Sequence, residues 1–208
     1  YHLYWATTTG VTPSNGTKIA NISSPYVHSG LPNGGAYYYV LTAVIGGVEG
    51  APSDQVAATP QSVFLYNFDD GTLQGWTATG SWAVTTANAN AGAYSVTDSP
   101  SGDYGNGADM SITSPVLDLS GSSAPSLTFY HRLDLETSWD YGRVLVSTNG
   151  GSTFTEIASY TGFTSIFNQE SFDLSSYISS QVVIRFQFTS DGSVTYDGWY
   201  IDDIIITP

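Results

Sequence analysis

The side chains of this sequence best suited to moving protons or holding a hard cation are its carboxylates, 18 in all, and three histidines. Asp202 and Asp203 stand side by side in YDGWYIDDIIIT (196–207), a run that otherwise reads as a buried strand. Strand side chains alternate faces, so at least one of the two must point toward the interior or the rim of a core. A buried carboxylate without a partner is costly, and the pair therefore raises the question of what it meets. Asp69 and Asp70 follow Phe68 in FDDG, with Gly71 closing a tight turn. Asp98, Asp103 and Asp109 sit in the Gly- and Asn-rich stretch DSPSGDYGNGAD, whose spacing misses the EF-hand pattern. That loop is expected to be solvated, with a cation as the alternative. Asp134, Glu136 and Asp140 bracket Trp139 and could form a ligand rim, while Asp191 and Asp197 flank GSVTY and are expected to bond nearby backbone amides in turns.

Catalytic arrangements find little support. A glycosidase needs two carboxylates across a cleft, one with a raised pKa, and nothing in the spacing singles out a pair. The histidines are His2, His28 and His131; the last lies in LTFYHRL (127–133), where a strand position favours packing over base chemistry. No G-x-S-x-G, H-E-x-x-H, phosphate-binding loop or G-x-G-x-x-G occurs. The chain reads as non-enzymatic.

The elements that must hold these residues are strands. Val, Ile, Thr and the 29 aromatics (9 Phe, 5 Trp, 15 Tyr) favour pleated sheet, and no stretch of ten residues shows convincing helical periodicity. The fold class is all-β. Residues 1–60 carry Lys18 against Glu49 and Asp54, a net −1; residues 61–208 carry three arginines against 16 acids, a net −13. So acidic a surface repels phosphate backbones, which argues against nucleic acid or anionic membrane as partners. No run of 18 apolar residues implies membrane insertion, and no basic, then apolar leader opens the sequence, so any signal peptide is expected to have been removed. Zero cysteines exclude disulfides and thiolate metal sites.

A break falls at ATPQSVFLYNF (58–68), with a boundary placed near residue 61. After it, short strands are expected at 63–69, 81–86, 93–97, 109–117, 125–132, 142–148, 154–160, 168–173, 181–189 and 199–206. About ten strands with no helix suggest a two-sheet jelly roll. Asn15 and Asn21 begin N-glycosylation sequons, which mark surface loops.

Tyr4 and Trp5, the block GLPNGGAYYYVLTAV (30–44) and GAPSDQVAATP (50–60) resemble the second half of a fibronectin type III domain, strands C to G. In that family the leucine and the tyrosine eight residues later, Leu31 and Tyr39 here, pack at the corner between strands E and F. A complete domain has about seven strands, so residues 1–60 form an incomplete immunoglobulin-like sandwich. The missing strands belong either to upstream sequence or to another chain, the latter by strand addition.

Residues 63–208 resemble the jelly-roll accessory domain of immune-inhibitor-A-type metallopeptidases, related in pattern to the MAM domain. The resemblance is carried by FDDGTLQGWT, DSPSGDYGNGADMSITSPVLDLSG, LTFYHRLDLE, DYGRVLVSTNGGSTF, FDLSSY, VVIRFQFTSDGS and YDGWYIDDIII. It implies a larger β-sandwich with a structural cation, and a non-catalytic role in adhesion, assembly or docking. It also implies that Asp69, near the first strand, meets Asp202 or Asp203 of the last one at a Ca²⁺, since carboxylates that close repel unless protonated or bound to a cation. Which of the two binds stays open, as does whether Asp203 merely accepts a hydrogen bond.

The function expected is an extracellular docking module, calcium-stabilised, from the C-terminal part of a larger secreted or cell-surface protein, with a protein or glycan partner. Two alternatives are a filament or coat subunit completed by other copies of itself, and a carbohydrate-binding module of a secreted hydrolase. For the latter, Trp76, Trp82, Trp139, Trp199, Tyr104 and Tyr141 are candidate sugar-stacking faces, with Trp76 and Trp199 also candidates for the core.

Overall fold

The computed structural model describes residues 1–32, 34–60 and 63–208. It separates into two compact units, Tyr1–Ser62 and Val63–Pro208; the boundary expected at residue 61 falls outside the described residues. No helix among them is long and apolar enough to cross a membrane.

The first unit is one antiparallel sheet. Strands β1 (His2–Ala6), β2 (Thr17–Ile19), β3 (Tyr37–Ile45) and β4 (Val48–Pro52) run in the order β2-β1-β3-β4, and β5 (Val56–Ala58) also pairs with β3. Alternation along β1 and β3 puts Tyr4 opposite Val40 on one face and Trp5 opposite Tyr39 on the other. Tyr4, Val11 and Val40 make a small core. Beside it the Glu49 carboxylate accepts from Thr42 Oγ1 at 2.6 Å, Tyr4 OH at 2.7 Å and Lys18 Nζ at 3.1 Å. Those donors, Thr42 foremost, hold the acid down at about 2. Across the sheet Trp5 meets His28 and Tyr37 at centroid distances of 5.1 and 5.7 Å. Tyr39 also lies against His28, at 5.9 Å.

The second unit is a sandwich of two antiparallel sheets. One sheet contains β7 (Thr77–Ala78), β10 (Asp109–Thr113), β12 (Tyr141–Ser147), β13 (Thr155–Tyr160) and β15 (Val183–Thr189), in the order β13-β12-β15-β10-β7. The other contains β6 (Phe64–Tyr66), β8 (Ala83–Thr85), β9 (Ser95–Thr97), β11 (Ser126–Asp134), β14 (Asn168–Asp173) and β16 (Gly198–Thr207); its order is β14-β11-β16-β9-β8, with β6 also on β16. The strict alternation of β11 and β12 points Leu127, Phe129, Leu133, Val144 and Val146 inward.

Phe186 of β15 joins the layers, stacking on Trp76 at 5.7 Å and meeting Phe129 and Trp199 edge-on at 5.0 and 5.6 Å. Aromatic pairs at these separations add to simple area burial. Trp199 packs closely over Gly142 of β12: a Cβ there would stand 2.6 Å from Trp199 Cε3. His131 is buried and accepts the Trp199 indole N–H on Nδ1 at 3.1 Å; burial lowers its pKa to about 4, so it is neutral. This is the packing role its strand position implies.

Candidate functional site: a carboxylate clasp and an acidic, aromatic loop end

The final strand changes neighbours midway. Up to Ile201, β16 pairs with β9 on one edge; from Ile204 onward it pairs with β6 on that same edge. Its other edge, on β11, slips register between Thr128 and Tyr130, so Asp203 and Ile204 together oppose Phe129. That is a β-bulge, with Asp203 at φ 47°, a left-handed conformation that Asp tolerates better than most residues. On the other edge, Asp202 and Asp203 fall between the β9 and β6 pairings and have no ladder partner there.

Residues 88–94 occupy this position, and carboxylates replace the missing ladder acceptors. Asp202 Oδ2 accepts the amide of Asn90 at 2.8 Å and that of Ala91 at 3.4 Å, while Oδ1 takes the Asp203 amide at 2.7 Å. Asp203 Oδ2 accepts Asn90 Nδ2 at 2.8 Å. Asp69 Oδ1 takes the amides of Ala93 and Tyr94 at 2.7 and 3.3 Å. Between them Gly92 is at φ +63°, and a Cβ there would lie 2.0 Å from Asp69 Oδ2. Asp69, in the turn after β6, and the Asp202–Asp203 pair on neighbouring β16 thus grip one loop between them.

Asp202 is fully buried and Asp203 half-buried, which makes Asp202 the inward member of the pair. Its carboxyl rises to about 6, chiefly through burial, with Asp203 adding repulsion against the opposing pull of the Asn90 amide. Asp70 turns away, bonding the Thr72 amide and hydroxyl at 2.9 and 2.8 Å.

A second group lies at one end of the sandwich. Glu136, Asp140 and Asp191 each bring one carboxylate oxygen within 4.8 Å of the others, the one such acidic trio among the described residues. The pairing of Tyr141 with Thr189 sets Asp140 beside Asp191. Asp140 is buried; its Oδ1 accepts the Asp191 amide at 2.8 Å and its Oδ2 the Tyr104 hydroxyl at 2.6 Å. Tyr104 OH in turn accepts the Glu136 amide at 3.0 Å. Glu136 Oε2 is a buried atom with no hydrogen-bond partner, and burial together with Asp191 and Asp140 raises its pKa.

The loop carrying Glu136 and Asp140 also displays Trp139, 63% exposed. It is tied to the loop after β13 by Leu135 N–H to Gly162 O at 3.0 Å, Thr164 N–H to Leu133 O at 2.8 Å and Ser138 N–H to Thr161 Oγ1 at 2.9 Å. That neighbouring loop displays Phe163 at 64% and Ile166 at 66%.

A third carboxyl, Asp98, is fully buried. Oδ1 accepts the Trp199 amide at 2.6 Å, and Oδ2 has no partner. Burial first, then Asp197, lift it to about 7 against the pull of the Trp199 amide.

Several residues sit elsewhere than the sequence suggests. Tyr104, Trp76, Trp82 and Trp199 are buried, so none can stack on a ligand; among the tryptophans of this unit only Trp139 is exposed. Asp98 belongs to the core rather than to a solvated loop. Asp191 does form the expected turn, accepting the Ser193 amide at 2.8 Å, yet it also joins Glu136 and Asp140. Asp134 stays apart from that group, and Asp197 pairs with Arg132 at 3.3 Å and Tyr200 OH at 2.9 Å. The Asp191 partnership carries no local sequence signal, because 51 residues separate it from Asp140 and only the β12–β15 pairing joins them.

Comparisons with known proteins agree with this architecture. The K1 cleaved adhesin domain of Lys-gingipain from Porphyromonas gingivalis W83 superposes with a TM-score of 0.55 at 18% identity, covering 71% of this chain and 98% of that one. Caldicellulosiruptor saccharolyticus CBM27-1, solved in complex with mannohexaose, gives 0.53 at 14% identity, covering 72% and 98%. Both likenesses concern the β-sandwich fold. Bacillopeptidase F of Bacillus subtilis (strain 168) is 29% identical over 181 residues, which is 83% of this chain and 13% of that protein. The family model described as immune inhibitor A-like, MAM domain matches residues 85–208. The chain belongs to the immune inhibitor A-like MAM domain family.

Proposed function

We propose that this chain is a non-catalytic extracellular docking module of a larger protein, and that it engages a cell-surface or matrix partner through the loop end bearing Trp139. The observation that carries this reading is the exposure of Trp139, Phe163 and Ile166 on two loops hydrogen-bonded to each other. Exposed apolar groups grouped on a rigid support mark interaction sites more often than chance placement does. Their order is already fixed, so a partner meets little entropic cost in using them. Within residues 63–208, the buried positions of Trp76, Trp82 and Trp199 leave Trp139 as the exposed indole. Retention of the chain on fibrillar collagen and on insoluble β-mannan tests the reading. Retention on one of them is expected, falling by about tenfold in a Trp139→Ala, Phe163→Ala double variant. No retention on either, or retention indifferent to both substitutions, overturns it.

We further propose that Ca²⁺ stabilises the clasp, held by Asp69 and Asp202 with Asp203 beside them. Support comes from charge: Asp202 is buried beside Asp203, and the chain's four Lys and Arg side chains are engaged elsewhere. The donors fit in type, since Ca²⁺ prefers carboxylate and carbonyl oxygen. The fit in geometry is looser, because these three acids do not bring three oxygens as close together as Glu136, Asp140 and Asp191 do. EDTA is expected to lower the melting temperature by about 4–8 °C, Ca²⁺ to restore it, and Asp69→Asn to remove the response. A melting temperature unmoved by both chelator and ion rules the cation out.

A further inference from the structure

We infer that the partner accepted by the Trp139 loop end is an arginine-bearing segment of a polypeptide, its guanidinium lying on Trp139 and bonding the acids beneath. The inference rests on the docking reading and adds the chemistry of the ligand. Three features converge on it.

The first is uncompensated charge. Glu136, Asp140 and Asp191 gather within 4.8 Å, yet no basic side chain of the chain reaches them. Arg132 pairs with Asp197 and Arg143 with Glu156, Arg185 lies 3.9 Å from the centre of the Phe154 ring, and Lys18 belongs to the first unit, bonded to Glu49. Hydrogen bonds from Tyr104 and the Asp191 amide engage Asp140, and the Ser193 amide engages one oxygen of Asp191, but none of these donors is charged.

The second is an acceptor left waiting. Glu136 Oε2 is shielded from water and receives no hydrogen bond, a costly state that a donor from outside would relieve. Burial first, then repulsion from Asp191 and Asp140, raises the pKa of that carboxyl, and an incoming cation would oppose the repulsion.

The third is the aromatic face. Trp139 is three residues from Glu136 and adjacent to Asp140, directly after Ser138 at φ 70°, and its side chain is exposed. A planar guanidinium combines five N–H donors with a surface that stacks on indole, which suits a site offering carboxylates and an exposed tryptophan together. A neutral sugar could stack there but would leave the charge uncompensated. Anionic glycans, nucleic acid and acidic lipid are repelled by the net −13 of residues 61–208. A second copy, with 18 acids against four basic residues, is equally unsuited.

The test uses the 208-residue chain in 150 mM NaCl and 1 mM CaCl₂, with a fluorescein-labelled Gly-Ser peptide carrying four arginines, read by anisotropy. Saturable binding is expected. Trp139→Ala, which leaves the net charge unchanged, should raise Kd about tenfold, and Glu136→Gln and Asp191→Asn several-fold each. Asp118→Asn, a charge-matched change beyond the opposite end of β10, should leave it unaltered. The same peptide with citrulline in place of arginine should not bind. Equal effects of Trp139→Ala and Asp118→Asn would reduce the binding to general attraction between polyions and overturn the inference. So would mannohexaose binding that depends on Trp139 while the peptide fails to bind. If Trp139→Ala abolishes retention on collagen or mannan but leaves peptide binding unchanged, docking stands and the arginine chemistry falls.

Discussion

The two units of this chain are built from the same kind of strand yet hold together differently. The second closes two sheets over a core that includes Phe129, Phe186, Phe188, Trp199 and Ile201, all fully buried. The first has a single sheet, and its buried cluster contains Tyr4, Val11 and Val40. Alternating sequence is enough to make a sheet, but only a second layer turns the inner face of that sheet into a core. In the first unit aromatic contacts and the Glu49 hydrogen bonds take over part of that task, and every residue of β4 and β5 stays exposed.

Substitutions can widen or narrow this contrast. The largest effect is expected at Phe186, which touches Trp76, Phe129 and Trp199. Phe186→Ala should cost about 3–5 kcal/mol in the unfolding of residues 63–208, measured by denaturant titration. A cost below 1 kcal/mol would mean that the two sheets do not share one core.

Next comes a pH effect confined to the second unit. Asp98 and Asp202 have folded values of about 7 and 6 against an ordinary 3.8. Their contribution is therefore complete below the ordinary value and is lost as pH rises through 6 to 7. His131 acts in the opposite sense, with a folded value of about 4 against 6.5, so its contribution is present above 6.5 and is lost as pH falls through 4. Asp98→Asn keeps an acceptor for the Trp199 amide and removes the ionisation. It should stabilise the protein at pH 8 by about 2 kcal/mol and flatten the decline between pH 4 and 7. An unchanged pH profile would show that Asp98 is not the titrating group.

The smallest effect is expected in the first unit. Val40→Ala should cost about 1–2 kcal/mol and should lower amide protection in β1 and β3 while leaving β11 and β16 untouched. Loss of protection in both sets would mean that the units unfold as one.

Four strands of the second unit lie within two residues of where the sequence places them. The runs expected at 125–132, 142–148, 168–173 and 199–206 appear as Ser126–Asp134, Tyr141–Ser147, Asn168–Asp173 and Gly198–Thr207. β7, only two residues long, was not anticipated, since it exists by pairing with β10 rather than by its own pattern. For the Asp202–Asp203 pair, alternation shows that one side chain must turn inward. It does not show which one, and it reveals neither the bulge against β11 nor the change of neighbours from β9 to β6, because both are properties of the sheet. The acidic trio was only partly visible. Glu136 and Asp140 stand near Trp139 in the sequence, but Asp191 lies on a distant turn and nothing local ties it to them.

The four indoles of residues 63–208 fall into two optical classes, with half-buried Trp5 of the first unit as a separate background. Trp76, Trp82 and Trp199 are sealed in the sandwich while Trp139 stands in water. Acrylamide or iodide should therefore quench a red-shifted fraction of the emission without reaching the blue fraction. With Trp5 replaced by Phe, occupancy of the loop end and melting of the interior can then be followed at once in one unlabelled sample, each at its own wavelength.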